Sequence, residues 1–125
     1  MTQARKAGVT SSAAIVLAVL ALRPVAAADA EHGKALFQAC VACHSESSNS
    51  LGPNLKGVFG RKSGSLEDYR YSNAMQRADL IWDEGNLKSY LADPQTKVKG
   101  NRMPYGGLSN ASDVDDVVAY LKVLK

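Results

Sequence analysis

The 125-residue sequence predicts an all-α fold. Two stretches repeat apolar residues at helical spacing: Gly33, Leu36, Phe37 and Cys40 early in the chain, and Val114, Val117, Val118 and Leu121 near its end. No segment alternates apolar and polar residues in the manner of a half-buried strand. The middle is rich in Gly, Ser, Asn and Pro and reads as loop.

Residues 1–28 read as a secretory signal peptide. Arg5 and Lys6 precede an unbroken apolar run from Ala13 to Leu22, and small residues around Ala27, Ala28 and Ala30 offer cleavage sites. The run is too short for the roughly 20 residues that span a bilayer, which disfavours the alternative of a retained membrane anchor. Its Ala/Leu/Val composition disfavours a transit peptide.

The domain is then 29–125. Its first helix is expected over Glu31–Ala42, with Glu31 complementing the helix dipole. Ser45–Gly64 should be a loop, long enough to wrap around something. Ser72–Arg77 and Asn86–Ala92 read as short helices, the second stopped by Asp93-Pro94. Gly100–Gly107 is loop again. The last helix begins at Asn110 or Ser112, with aspartates in its first turn and Lys122 and Lys125 in its last. Gly33 lets another helix approach closely, and the C-terminal helix is the expected partner.

Charge narrows the function. The leader holds three of the fifteen basic residues and none of the twelve acidic ones, so the remainder is formally balanced and does not read as a nucleic-acid binder. The basic residues still cluster, as Lys56/Arg61/Lys62 and Lys97/Lys99/Arg102, while Asp113, Asp115 and Asp116 gather elsewhere. A dipolar surface of this kind can orient a charged partner.

A domain this small buries limited apolar area. Export favours disulfide staples, yet the two cysteines, Cys40 and Cys43, are nearly adjacent. A bridge between them would close a tiny loop and stabilise little. Cys40-Val41-Ala42-Cys43-His44 is instead the attachment signature of c-type haem. Two thiols add across the two porphyrin vinyl groups, a spacing of three lays both sulfurs along one ring edge, and the next residue, His44, falls under the iron. The haem also supplies the missing core. A thioredoxin-like pair would want a βαβ setting. A zinc site built from Cys40, Cys43, His44 and His32 would lack a second ligand pair from a distant segment.

A sixth ligand must come from elsewhere. His32 lies on the same helix as the attachment site and reads as a surface histidine. Met75 lies in a short helix and reads as packing. Met103, in the Gly-flanked loop "GNRMPYGG", can fold over the ring onto the iron. His/Met ligation raises the reduction potential. With both axial positions filled, electron transfer is favoured over substrate chemistry, so the protein is not expected to be an enzyme.

Beyond that motif, "GPNLKGVFGRKSG" (52–64), "YRYSNAM" (69–75), "IW" (81–82), "YLADP" (90–94), "KGNRMPYGG" (99–107) and "VVAYLK" (117–122) resemble, in order and spacing, the class I c-type cytochromes near bacterial cytochrome c2 and mitochondrial cytochrome c. The resemblance covers residues 29–125. It implies three to five helices and loops wrapped around one haem c, attached through Cys40 and Cys43, with His44 and Met103 on the iron. It implies that the Pro53 carbonyl accepts a hydrogen bond from His44, that Arg61, Tyr71 and Trp82 lie near the haem propionates, and that Tyr90 and Asn101 lie on the Met103 side. It implies contact between the terminal helices through Gly33, Phe37, Val117 and Tyr120.

Mitochondrial members tend to carry Thr at the position of Asn101 and Phe at that of Tyr105. Their lysine ring is thinner here, reduced to Lys34, Lys56, Lys97, Lys99 and Arg102. The implied role is a monomeric periplasmic shuttle between a bc1-type complex and a terminal oxidase or photosynthetic reaction centre. It would dock through its basic haem edge and meet membranes only through those partners. The alternative is a dedicated electron-accepting subunit of one periplasmic dehydrogenase. A catalytic iron opened by a labile Met103 is a third, remoter reading.

Overall fold

The computed structural model describes residues 26–125, with Ala4 and Gly8 as isolated positions. Most of the expected leader therefore lies outside the described residues. Five helices follow in order: α1 (Ala30–Val41), α2 (Asn73–Arg77), α3 (Glu84–Ala92), α4 (Pro94–Lys97) and α5 (Ala111–Val123).

Each helix starts on a side-chain cap. The Asp29 carboxylate accepts from the Glu31 and His32 N–H groups at the head of α1. Ser72, Asp83 and Asn110 do the same for α2, α3 and α5. Each cap contributes about 1 kcal/mol by satisfying an otherwise orphaned donor. The Asp83 cap starts α3 at Glu84, two residues before the expected Asn86.

Asp93-Pro94 does more than stop α3. Asp93 ends α3 and caps α4, accepting from the Thr96 N–H at 3.0 Å, with Pro94 in the first turn, where its missing donor costs nothing. The stretch through Lys97, to which the sequence assigns no element, is therefore a short helix.

The terminal helices cross at Gly33. A Cβ built there would lie 1.9 Å from the Asp116 carbonyl oxygen, so the two backbones touch. Phe37 and Tyr120 pack beside the crossing, ring centroids 5.1 Å apart. Val117, Val118 and Leu121 turn the expected apolar stripe of α5 inward, where they join Phe37, Leu87, Tyr90 and Trp82 in the core. On the outside, Lys122 and Lys88 both pair with Glu84, at 2.6 and 2.8 Å, linking α3 to α5 and holding Glu84 down at about 2.

The long loop is tied down away from the helices. Ser63 N–H donates to the Leu80 carbonyl at 2.7 Å and Trp82 N–H to the Arg61 carbonyl at 2.9 Å, around an antiparallel bridge between Lys62 and Ile81. This isolated bridge is too short to leave a period-two pattern in sequence.

His32 is exposed, as expected, but not idle. Its Nδ1–H donates to Asp116 Oδ2 at 2.7 Å, and Asp29 N–H donates to Asp116 Oδ1 at 2.6 Å. The hydrogen bond to Asp116 raises the His32 pKa, and bonds from Asp29 and His32 lower that of Asp116. A raised histidine contributes stability that is complete below its unfolded pKa of 6.5 and is lost as pH rises through the folded value. A depressed carboxylate contributes above its unfolded 3.8 and loses that contribution as pH falls through its folded value. His32→Ala should therefore destabilise the protein more at mildly acidic than at alkaline pH. Denaturant midpoints at low salt, taken on both sides of neutrality, measure this; an equal difference at both would show that the pair contributes nothing.

Candidate metal centre

One cleft opens beside α3 and α5, with about 930 Å³ of space including its mouth. Leu55, Val58, Trp82, Leu87, Leu91 and Leu121 make its walls largely apolar. The residues singled out from sequence converge on it: Cys43, His44, Pro53, Arg61, Tyr71, Trp82, Tyr90, Asn101 and Met103 all line the cleft. Cys40 does not, but it is half-buried on the last turn of α1, packed against the core, and its thiol, like that of Cys43, is free.

The turn after α1 sets His44. Cys43 and His44 N–H groups both donate to the Cys40 carbonyl, and Gly52 N–H donates to the Cys43 carbonyl at 2.7 Å, folding the following loop back. That return brings the Pro53 carbonyl to 2.8 Å from His44 Nδ1. The bond assigns the proton to Nδ1 and leaves Nε2 as the free lone pair, the arrangement by which a neighbour orients a histidine ligand. Burial lowers the His44 pKa, outweighing the opposite effect of the Pro53 bond, and so favours the neutral ring that metals need.

Gly52 is part of this setting and was not legible as such. A Cβ at Gly52 would come within 2.5 Å of the His44 ring. The only sequence signal was its place before Pro53.

On the other side, the Met103 loop is hung from Asn101. This side chain is 7 % exposed. Its Nδ2 donates to the Pro94 and Val98 carbonyls at 2.8 and 2.9 Å, and its Oδ1 accepts the Met103 N–H at 2.8 Å. The Tyr90 hydroxyl lies 3.4 Å from both Met103 Sδ and Asn101 Oδ1. Burial pushes the Tyr90 phenol up to about 12, so it stays a neutral donor. Leu108 N–H, bonded to the Leu91 carbonyl at 2.8 Å, pins the far end of the loop to α3.

The remaining polar groups gather at another wall. Arg61 donates to the Asn54 and Lys56 carbonyls at 2.9 and 3.2 Å, and burial lowers its pKa. Tyr71 packs edge-on against Tyr69, centroids 4.8 Å apart, and Tyr69 donates to the Leu51 carbonyl at 2.7 Å. Tyr69 also lines the cleft, a role that nothing in its sequence context marks. Trp82 packs on Tyr90 at 5.0 Å. Met75, taken as packing, is indeed buried in the core, and it also reaches the cleft wall.

These residues fit a haem. The walls are apolar, the imidazole is neutral with its back nitrogen engaged, a thioether lines the same cleft, and two unpaired thiols precede the histidine. Fold and site together define a small helical protein of the c-type haem class. A family comparison bears this out: the cytochrome c family matches residues 30–125, and the chain belongs to that family. It carries one haem c, bound covalently through Cys40 and Cys43.

Cytochrome c2 iso-2 of Magnetospirillum molischianum is 46 % identical over 100 residues, covering 78 % of this chain and all of the relative. Cytochrome c2 of Blastochloris viridis is 39 % identical, covering 79 % of this chain and 80 % of its own length. Among solved structures, cytochrome cH from Methylobacterium extorquens superposes with a TM-score of 0.72 at 45 % identity, covering 76 % of this chain and 98 % of that one. The expected all-α class I cytochrome c architecture is thus the observed one.

Proposed function

We propose that this chain is an exported one-electron carrier whose haem iron is held between His44 and Met103. The observation that carries the reading is that a neutral, braced imidazole and a hydrogen-bonded thioether line one apolar cleft. Haem supplies a one-electron iron couple. The protein's part is to hold both ligands so that neither moves when the charge on iron changes. Pro53 orients His44; Asn101 and Tyr90 position Met103. Arg61, Tyr71 and Trp82 stand ready to satisfy the propionates, which could not be buried without donors. The apolar walls exclude water. With His44 and Met103 both holding the iron, no position would be left for a substrate, which favours a carrier over an enzyme.

Docking takes place at the attachment edge. Val41, between the two cysteines, and Leu51, at the cleft, are exposed apolar residues there, 39 % and 76 % accessible. The cations around Lys97 and Lys99 steer an acidic partner from further out. The relatives named cytochrome c2 support an electron carrier; the partners proposed for it are a bc1-type complex and an oxidase or photosynthetic reaction centre.

The leader 1–28 directs export to the periplasm and is then removed. Among the described residues no helix is long and apolar enough to cross a membrane. Cleavage after Ala28 frees the Asp29 amine, whose nitrogen lies 2.6 Å from Asp116 Oδ1.

Rates with isolated bc1-type complex, oxidase and reaction centre test the role. Fast reaction with the bc1-type complex and with one acceptor is expected. Reaction only with a single copurifying dehydrogenase would replace the shuttle by a dedicated subunit. Reversing Lys97 and Lys99 to Glu should slow the partner reaction at low salt and leave it nearly unchanged near 1 M salt, where the screening length falls to about 3 Å. Equal slowing at both would argue against steering.

A further inference from the structure

Five cations collect on the face formed by α2 and the 97–102 segment. Arg70, Arg77, Lys99 and Arg102 line one groove, together with Ser72 and Asn73. An adjoining groove shares Arg77 and Lys99 and adds Lys97. Neither groove is lined by an acidic residue. Four lysines elsewhere are paired: Lys56 with Glu46, Lys62 with Asp79, Lys88 and Lys122 with Glu84. Among the described residues, none of the five in the grooves has a carboxylate within ion-pair distance.

Of the acids nearest in sequence, Asp79 pairs with Lys62 and Asp93 bonds Thr96, while Glu67 and Asp68 line neither groove. The positive charge is therefore concentrated and uncompensated in a domain whose formal charge is balanced. The groove is also braced, because Arg102 Nη2 donates to the Arg70 carbonyl across it.

We infer that this groove binds a phosphate-bearing anion. Three guanidinium groups supply planar donor forks matched to phosphate oxygens, Lys99 adds a point charge, and Ser72 and Asn73 add neutral donors. The concavity favours a compact polyanion over a broad acidic protein surface. The site is distinct from the cleft but shares a wall with it: Tyr71, Ser72 and Arg102 line both. Arg102 directly precedes Met103. An anion held here favours the more positive, oxidised state, and by linkage the oxidised protein binds it more tightly.

The test uses the haem-loaded protein and inorganic tripolyphosphate, followed by calorimetry in both redox states. Saturable binding is expected, tighter when oxidised, with a matching fall in reduction potential. Arg77→Gln/Lys99→Gln should weaken it about tenfold or more, each lost contact to a charged group being a large fraction of the affinity. Lys34→Gln/Lys125→Gln removes the same charge outside the groove and should leave binding nearly unchanged.

Vesicles of phosphatidylglycerol, against phosphatidylcholine, separate the sources. Capture that tripolyphosphate displaces assigns a lipid headgroup; tripolyphosphate binding without capture assigns a free phosphate compound. Absence of saturable binding, equal weakening in the control variant, or vesicle capture that tripolyphosphate cannot displace would each overturn the groove.

Discussion

Gly33→Ala should lower the stability of the protein by about 3 kcal/mol, the upper end of what overpacking a rigid site costs. Two effects oppose each other at this position. Alanine is the better helix former by about 0.8–1.0 kcal/mol. The added methyl group, however, would sit 1.9 Å from the Asp116 carbonyl oxygen and 2.4 Å from its carbon. Those are backbone atoms in the middle of α5, and no side chain can swing aside. The helices must separate, loosening the Phe37–Tyr120 contact and the link from His32 to Asp116. Sterics should win, and the thermal midpoint should drop by roughly 4–8 °C per kcal/mol lost. A midpoint at or above that of the parent protein would mean that the crossing is not where the backbones meet.

Asn101→Ala should cost about 2–3 kcal/mol and, more tellingly, loosen Met103. The side chain makes three good hydrogen bonds, but their loss is not equally expensive. The Pro94 carbonyl keeps the Val98 N–H, and the Val98 carbonyl keeps the Asn101 N–H. The Met103 N–H has Oδ1 as its partner, so its loss, with the cavity left behind, carries most of the penalty. On the proposed ligation, denaturant should therefore displace Met103 from iron well before the global transition in this variant. Asn101→Thr, which can accept the Met103 N–H but not bond two carbonyls as well, should fall between. If Asn101→Ala loses stability while Met103 stays bound through the same range, Asn101 is a core brace and not a positioning residue for Met103.

What could be read directly from the chain was what is local. Cys40, Cys43 and His44 announce their chemistry within five residues, and the valines of α5 declare a buried face by spacing alone. Asp93-Pro94 was read as a stop because Pro ends helices. Its second effect, capping and starting α4, depends on Asp93 bonding forward to Thr96. The tie between Ser63 and Leu80 and the bond from Tyr69 to Leu51 join loops far apart in sequence, and no periodicity reports them.

The same holds for the charge pattern. Lys97, Lys99 and Arg102 were visible as a cluster, but Arg70 and Arg77 join it only through folding. Gly52 shows the limit most plainly. It precedes Pro53 in a stretch that reads only as loop; that its missing Cβ makes room for the His44 ring needed the fold.

The most direct test of His44/Met103 ligation is the near-infrared absorption of the oxidised, haem-loaded protein. A weak methionine–iron charge-transfer band is expected in the parent protein. It should vanish in Met103→Ala and persist in Met75→Leu. A parent protein without the band, or a Met103→Ala variant that keeps it, would contradict the account.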